Sequence, residues 1–462
     1  MHFSTRAIKF AAFTSIWLGT AACLPNSKGE DEVIDRDIAV IGGGASGTYA
    51  AVRLQELGQS VVLIEKEKQL GGHTDTYYDP SGTPVDYGVW VYSNNSDATR
   101  FFDYLNITVT GQLFEQNPGN ILRYDLRKGE SVPPPEGDMV AAMARYAGVL
   151  SQHPYLADGW DLPYPVPEDL LLPFKEFIEK YDLGPAVETL TLYVQGYGDI
   201  LNYPTVYIMK YFSMRVVLGG QFGFQRPASG ANMDIYKAAE RVLGNNVLLN
   251  SHIAKMSRCS ENHNILVYTP HGPKHIRAKK IIVAIPPLPE SLKSFDLDPR
   301  EYNLFCKFHA TGYYNSIVHL SDFPEGQQVV NKAVDTPYNV AAIPGSYVFF
   351  PAPVQDLYVG YYGGGYGPTP EKQVKNSLIE DALTLRNAGY PVSDPGIVAF
   401  GNHYPFGLHV SAEEIAGGFY RELYGLQGYR GTYYTGAAFH EHDSAALWEF
   451  TERLLRERVL VD

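Results

Sequence analysis

The sequence predicts an α/β fold built around a parallel sheet, and three adjoining stretches predict it. Asp37-Ile38-Ala39-Val40-Ile41 is a short apolar, partly β-branched run of the kind buried on both faces of such a sheet. Gly42-Gly43-Gly44-Ala45-Ser46-Gly47 follows at once, and Ala50, Ala51, Leu54 and Leu57 then recur at helical spacing until Gly58 stops the helix. Val61-Val62-Leu63-Ile64 is a second strand, closed by Glu65 and Lys66. Strand, glycine turn, helix, strand and acid in this order are the setting in which G-x-G-x-x-G binds a dinucleotide. Gly42 permits the tight turn, Gly44 lets the backbone approach a pyrophosphate, and Gly47 lets helix and strand pack closely. The helix start at Ala45 and Ser46 offers N–H groups and positive dipole to the phosphates. Glu65 stands where an acceptor meets the ribose hydroxyls.

The 462 residues suggest two or three domains, at roughly 150 residues each. Hydrophobic residues are 45% and charged residues 19%, which excludes disordered and fibrous classes. The net charge of −14 argues against nucleic acid and anionic membranes as partners. Three cysteines, Cys23, Cys259 and Cys306, make no disulfide framework, and no spacing resembles a zinc or other metal site. A Cys259–Cys306 bridge is one reading; two free buried thiols is the preferred one.

The N-terminus reads as a targeting segment. His2, Arg6 and Lys9 precede an uncharged apolar run from Phe10 to Ala22 that is short for a membrane span and ends in Thr20-Ala21-Ala22. The expectation is a signal peptide over 1–22 and a secreted or secretory-pathway protein. Cys23 hints at a lipobox, but Thr20 stands where leucine is wanted. Asn94-Asn95-Ser96 and Asn106-Ile107-Thr108 are acceptor patterns for N-linked sugar. No later segment reads as a transmembrane span.

Further along, Leu70-Gly71-Gly72-His73-Thr74-Asp75-Thr76 resembles the Gly-Gly-Arg-x-x-Thr signature of FAD enzymes of the amine-oxidase type, with His73 in place of the arginine. Gly82-Thr83-Pro84-Val85-Asp86-Tyr87-Gly88 resembles the segment that in this family runs along the isoalloxazine ring, which implies contacts from Tyr87, Gly88 and Val89. Val247–Ile253 looks like the strand that closes over adenine, and Lys279–Pro287 like the family's strand ending in Ala-x-Pro-Pro. Tyr433-Tyr434-Thr435-Gly436-Ala437-Ala438 and His442-Asp443-Ser444 resemble the C-terminal segment and the helix that faces the flavin pyrimidine, with the family glutamate replaced by Ala437 or Ala438. The Gly-Gly-His variant and the His-Asp-Ser-x-x-Leu-Trp ending are most similar to the fungal β-cyclopiazonate dehydrogenase family. The resemblance implies FAD, held non-covalently by Gly42, Gly44, Ala45, Ser46, Gly47, Glu65, Lys66, Gly72, His73, Tyr87, Gly88, Val89, Ile253, Gly436, Asp443 and Ser444.

It also implies an interleaved plan: a Rossmann-like FAD-binding domain from 33–94, 226–292 and 396–462, and an α+β substrate domain from 95–225 and 293–395. Helices are expected near 137–150, 168–182, 186–196, 205–216 and 370–388, and strands near 314–320, 346–350 and 356–362. Gly363–Gly367 has the wrong spacing for a second nucleotide site and reads as a strand-to-helix loop. With one fingerprint and no cradle for NADPH, the electrons are expected from a small organic substrate and to pass to dioxygen or another acceptor. Many relatives place a lysine near flavin N5; the register puts Tyr314 or Asn315 there. Asn315, His403, Tyr404 and Tyr434 are the polar candidates for catalysis, with His440 and His442 flanking the same site. The expected activity is an FAD-dependent oxidase or dehydrogenase acting on a small molecule such as a fungal secondary metabolite. A flavin monooxygenase or epoxidase, an amine oxidase, and a non-catalytic FAD-binding protein are the alternatives.

Overall fold

A computed structural model describes residues 32–113, 120–259 and 262–461; the expected signal segment and Cys23 lie outside them. The strand Glu32–Ile41 lies between Val61–Ile64 and Gly272–Val283, parallel to both. Val247–Leu248 extends this sheet beside Val61–Ile64, and Thr432–Tyr434 extends it at Ile281–Val283. The antiparallel pair His252–Ser257 and His263–Thr269 completes the sheet against Gly272–Val283. All of Val61–Ile64 and the stretch Ile38–Ile41 are buried, as strands covered on both faces must be. The fold is therefore α/β with a Rossmann-like layer, as expected.

Two helices cover the site-bearing end of this sheet. Ala45–Glu56 begins directly at Gly44, and Ser444–Leu454 lies against it. Trp448 stacks on Tyr92 at 5.2 Å and donates its Nε1–H to the Ala45 carbonyl at 3.2 Å, which ties the second helix to the glycine turn. Glu452 accepts from Arg53 at 3.0 Å, which lashes the same pair of helices together, and from Arg100 of helix Ser96–Tyr104 at 3.1 Å.

The second sheet runs Ser393–Asn402, His309–Ser321, Leu357–Tyr366, Gly345–Pro351, Gln328–Asn331, Ile121–Asp125 and Glu130–Ser131, with Phe406–His409 paired to His309–Ser321. Most of the expected elements appear here with moved ends. The helix expected over 168–182 is split into Glu168–Leu171 and Phe174–Lys180, because Pro173 pushes Leu172 out of helical geometry. The one expected over 205–216 becomes Thr205–Tyr211 and Met214–Phe222, restarted at Ser213. Gly363, Gly364 and Gly365 are strand rather than loop, and the chain turns at Gly367 (φ +82°). A side chain at Gly363 would meet the Tyr347 hydroxyl at 2.5 Å, so these glycines admit neighbours and not a nucleotide.

Two domain boundaries move. Helix Ser96–Tyr104 packs Ala98, Phe101 and Phe102 into the dinucleotide core with Trp448, so that half extends past residue 95. Ser393–Asn402 and Phe406–His409 pair in the second sheet, so it does not resume at 396. The cysteine reading is corrected too. Cys306 is free and exposed, and Cys259 is disulfide-bonded, so neither a Cys259–Cys306 bridge nor two free buried thiols is present. No helix among the described residues is long and apolar enough to cross a membrane.

Candidate active site

The site starts at the glycine turn. Gly42 has φ +97°, which a side chain would strain, and a Cβ on Gly47 would fall 1.8 Å from the Gly42 carbonyl oxygen. These two glycines let the helix sit on the strand. Gly44 differs: its ideal Cβ meets only the Gly72 Cα, at 3.7 Å. Gly72 in turn faces Gly44 across a gap too narrow for a side chain, since its own Cβ would lie 2.8 Å from the Gly44 Cα. No side chain caps the helix at Gly44, and the buried Ser46 hydroxyl has no partner among the described residues. Two glycines opposite each other, an uncapped helix start and an idle hydroxyl are what a pyrophosphate needs. The Glu65 carboxylate accepts N–H bonds from Gly43 at 2.5 Å and Glu67 at 2.8 Å, and each oxygen keeps a lone pair for a ribose hydroxyl. The run after Val247–Leu248 passes Glu65, the Ser251 N–H bonding its carbonyl at 2.9 Å, and carries half-buried Ile253 onward. Lys66 is exposed beside Glu67. The residues present fit FAD.

From Gly72 the strip continues inward. Val89 N–H bonds the His73 carbonyl at 3.2 Å and Tyr87 N–H the Asp75 carbonyl at 3.0 Å. A Cβ on Gly88 would lie 2.1 Å from that His73 carbonyl, so glycine is required for the two segments to touch. Gly44, Ala45, Gly72, His73, Gly88, Val89, Gly436 and His442 all keep accessible surface although Ile41–Gly43, Tyr87 and Ala438–Glu441 beside them are buried. They form a strip of surface that the chain itself does not cover. At its far end Asp443 caps helix Ser444–Leu454, its Oδ1 accepting from Ala445 and Ala446, and its Oδ2 from the Ser93 hydroxyl. Two first-turn amides are thereby used internally, which leaves the Ser444 N–H and the helix dipole for a ligand.

His73 is not a cation here. Burial first, and then the electrostatic influence of His403, His442 and Lys66, holds its imidazole well below the ordinary histidine range. Its ring stacks on His403 with centroids 4.5 Å apart and lies 5.6 Å from Phe406, which stacks on His442 at 4.0 Å. His442 also meets Tyr197 and Tyr211, and burial depresses its pKa to about 3. Tyr313 packs on Phe406 at 4.8 Å and stacks on Tyr361 at 5.9 Å. These rings wall a neutral aromatic chamber.

His403 is the polar centre of that wall. Its backbone N–H is pinned to the Tyr313 carbonyl at 3.0 Å, and its Nε2 lies 3.0 Å from Asp75 Oδ2. A carboxylate only accepts, so in the neutral ring Nε2 carries the proton and Nδ1 presents a lone pair. Asn315 pairs across the sheet with Gly401 and Tyr361 and shares their face. A Cβ on Gly401 would lie 2.7 Å from Asp75 Oδ2, so this face looks at the Asp75–His403 pair, and the buried Asn315 Oδ1 has no partner among the described residues. Tyr314 points the other way, its hydroxyl held by Thr369. Lys307 is on the surface, paired with Glu414 at 2.6 Å.

Tyr404 is half-buried beside this wall, after His403. Tyr434 lies elsewhere: it stacks on Phe439 at 5.3 Å and donates to Glu301 at 2.9 Å, inside the buried Arg258–Glu301 ion pair. That makes it a packing residue and removes it from the catalytic candidates. Asp75, Phe406, Tyr313, Tyr361, Tyr197 and Tyr211 were not expected at the site. No three metal-ligating side chains cluster among the described residues.

Residues 40–107 match the NAD(P)-binding Rossmann-like domain family. The chain is 35% identical to the FAD-dependent oxidoreductase oblC of Cochliobolus heterostrophus, over 100% of this chain and 99% of that protein. It is 33% identical to the beta-cyclopiazonate dehydrogenase of Aspergillus oryzae, over 97% and 98%. Among solved structures, the CLA-producing fatty acid isomerase from P. acnes aligns with TM-score 0.75 and 20% identity over 91% of this chain and 98% of that one. Cyclohexylamine oxidase from Brevibacterium oxydans aligns with TM-score 0.62 and 17% identity over 92% and 99%. At these identities the two structures speak for the fold alone.

Proposed function

The chain belongs to the fungal FAD-dependent oxidoreductases that include beta-cyclopiazonate dehydrogenase, and from that premise we propose that it is an oxidase or dehydrogenase taking hydride from a small, neutral secondary metabolite. FAD, when bound, supplies the two-electron acceptor. The chain supplies the rest. The Gly44–Gly72 strip and the helix start hold the pyrophosphate, and Glu65 holds the ribose. The ring-lined chamber around Phe406, His442, Tyr313 and Tyr361 orients a planar substrate. His403 Nδ1 takes the proton the substrate loses, with Asp75 fixing the tautomer. The observation that carries this reading is the Asp75–His403 pair, seated in a chamber at the end of the glycine strip.

One fingerprint and no second phosphate cradle support reduction by the organic substrate itself, with dioxygen as the acceptor. In anaerobic stopped-flow mixing, the substrate should bleach the yellow protein and NADH or NADPH should barely do so. Fast, saturable bleaching by NADPH alone would instead assign a monooxygenase.

We also propose export, with 1–22 removed as a signal peptide. Asn106 is the better sugar acceptor: it is exposed on a left-handed turn (φ 56°), whereas the Asn94 amide donates to the Gly223 carbonyl at 3.0 Å. Intact mass and N-terminal sequencing should find cleavage after Ala22 and sugar at Asn106. A mature chain starting at Met1 with unmodified asparagines removes this proposal.

A further inference from the structure

Behind the chamber stands an ionisable cluster that neither the glycine strip nor the Asp75–His403 pair uses. Lys210, on Thr205–Tyr211, is 1% exposed. Its ammonium donates to the carbonyls of Leu156 at 2.8 Å and Gly159 at 2.7 Å, and to Nδ1 of His440 at 3.3 Å. An ammonium has three protons, and all three are placed. Accepting at Nδ1, His440 carries its own proton on Nε2. That atom lies 3.7 Å from Glu441 Oε1, too far for a direct hydrogen bond and within reach of a bridging water. Glu441 is 2% exposed, and neither carboxyl oxygen has a hydrogen-bond partner among the described residues.

A buried carboxylate without partners is too costly to be left idle by folding; it is held neutral, or it works. Its surroundings favour the neutral form. Asp443 on the same segment and Glu449 on Ser444–Leu454 oppose a charge on Glu441, while Lys210 and Arg215, on Met214–Phe222, favour it; Arg215 is itself paired to Glu449 at 2.6 Å. Tyr197 and Tyr211, which pack on the neighbouring His442, both feel the charge of Glu441. Burial dominates and pushes the Glu441 carboxyl up to about 8. It also pulls the Lys210 ammonium down to about 8. The next residue, His442, stacks on Phe406 in the chamber wall. One short segment thus touches the chamber through His442 and a buried acid–imidazole–ammonium row through Glu441 and His440.

We propose that Glu441 is the proton donor of the oxidative half of the cycle, with His440 and Lys210 as its positioning residues. This rests on the reading of the chamber given above. The balance is closed. The substrate loses a hydride, with both electrons of its C–H bond, to the bound FAD, and a proton to His403 Nδ1. Dioxygen then takes the two electrons with the hydride's hydrogen and needs one further proton to leave as hydrogen peroxide. Glu441 breaks its O–H bond and gives that proton through chamber water, and the proton on His403 returns through the same water to re-form it. Both hydrogens of the substrate end on peroxide, and every side chain returns to its starting state.

The test omits the substrate, so that it fails separately from the substrate reading. FAD-loaded protein is photoreduced and mixed with oxygenated buffer across the pH range. An acid works only while protonated, so reoxidation in the wild type should slow as pH rises through about 8. Glu441→Gln should be slow throughout, about 10²- to 10⁴-fold below the wild type at neutral pH, and should lose that pH dependence. Resting loaded protein should also show a protonated carboxyl band in infrared difference spectra that titrates near 8 and is missing from Glu441→Gln. Lys210→Met removes the nearby positive charge and should move the titration to higher pH. A carboxyl band that persists in Glu441→Gln, a midpoint unmoved in Lys210→Met, or wild-type reoxidation in Glu441→Gln overturns the proposal.

Discussion

Gly44→Val is expected to weaken FAD binding about 10- to 100-fold while leaving the protein folded. Most fingerprint glycines cannot be tested this way, because the fold itself needs them. A Cβ on Gly47 would collide with the Gly42 carbonyl at 1.8 Å, and one on Gly42 would sit at φ +97°. Any loss of flavin in those variants would be confounded with loss of structure. Gly44 has φ −71°, a conformation open to valine, and its Cβ would find only the Gly72 Cα at 3.7 Å, an ordinary contact. The added side chain therefore starts in the space a pyrophosphate would fill, without a backbone clash at its Cβ. Overpacking of that kind costs roughly 1–3 kcal/mol, so the FAD dissociation constant should rise about 10- to 100-fold. Titration of apoprotein with FAD measures it, and far-ultraviolet circular dichroism checks that the fold remains. Yellow Gly44→Val protein with one FAD per chain and wild-type affinity would refute the cofactor assignment.

The dinucleotide half was readable because its signals are local. Strand, turn and helix follow one another within residues 37–64, so the motif can be read from one stretch, although the neighbours its glycines make room for, Ile285 at Gly42 and Gly72 at Gly44, lie further along the chain. Only its margins were misplaced: nothing in Ser96–Tyr104 announces that Phe101 and Phe102 pack on Trp448. The chamber was readable only in part. His403 stood out as a polar residue near the expected flavin, but its partner Asp75 is 328 positions away, and no spacing rule joins them. Tyr434 misled for a related reason. A three-residue strand, Thr432–Tyr434, shows too little alternation to say which face its last side chain takes, and the buried Arg258–Glu301 pair that receives it is also assembled from distant segments. The aromatic wall has the same character: Phe406, His442, Tyr197 and Tyr313 come from four separate stretches, and a chain with 34 tyrosines gives each of them an unremarkable appearance.

His403→Ala should then lower the rate of FAD reduction by substrate about 10²- to 10⁴-fold, the range a positioned general base contributes. The expectation follows from how firmly the imidazole is held. The Tyr313 carbonyl fixes its backbone, Asp75 fixes its Nε2 proton at 3.0 Å, and the His73 ring lies 4.5 Å away in a near-parallel stack. Nδ1 is thus left without a carboxylate partner, and removing the ring removes the base that Asp75 orients. Because Gly44, Gly72 and Glu65 are left in place, FAD content should stay near the wild-type level, and substrate KM should change much less than kcat. Added imidazole should restore part of the rate by filling the space the side chain leaves. Asp75→Asn should fall between the wild type and His403→Ala: the amide can still hold the ring, but it admits the tautomer with its proton on Nδ1, in which the lone pair faces away from the chamber. Single-turnover reduction under anaerobic conditions measures all three proteins. A His403→Ala protein that binds FAD normally and is reduced at the wild-type rate would place the base elsewhere, with the idle Oδ1 of Asn315 leaving that residue as a binding group rather than a substitute, since an amide cannot take the proton.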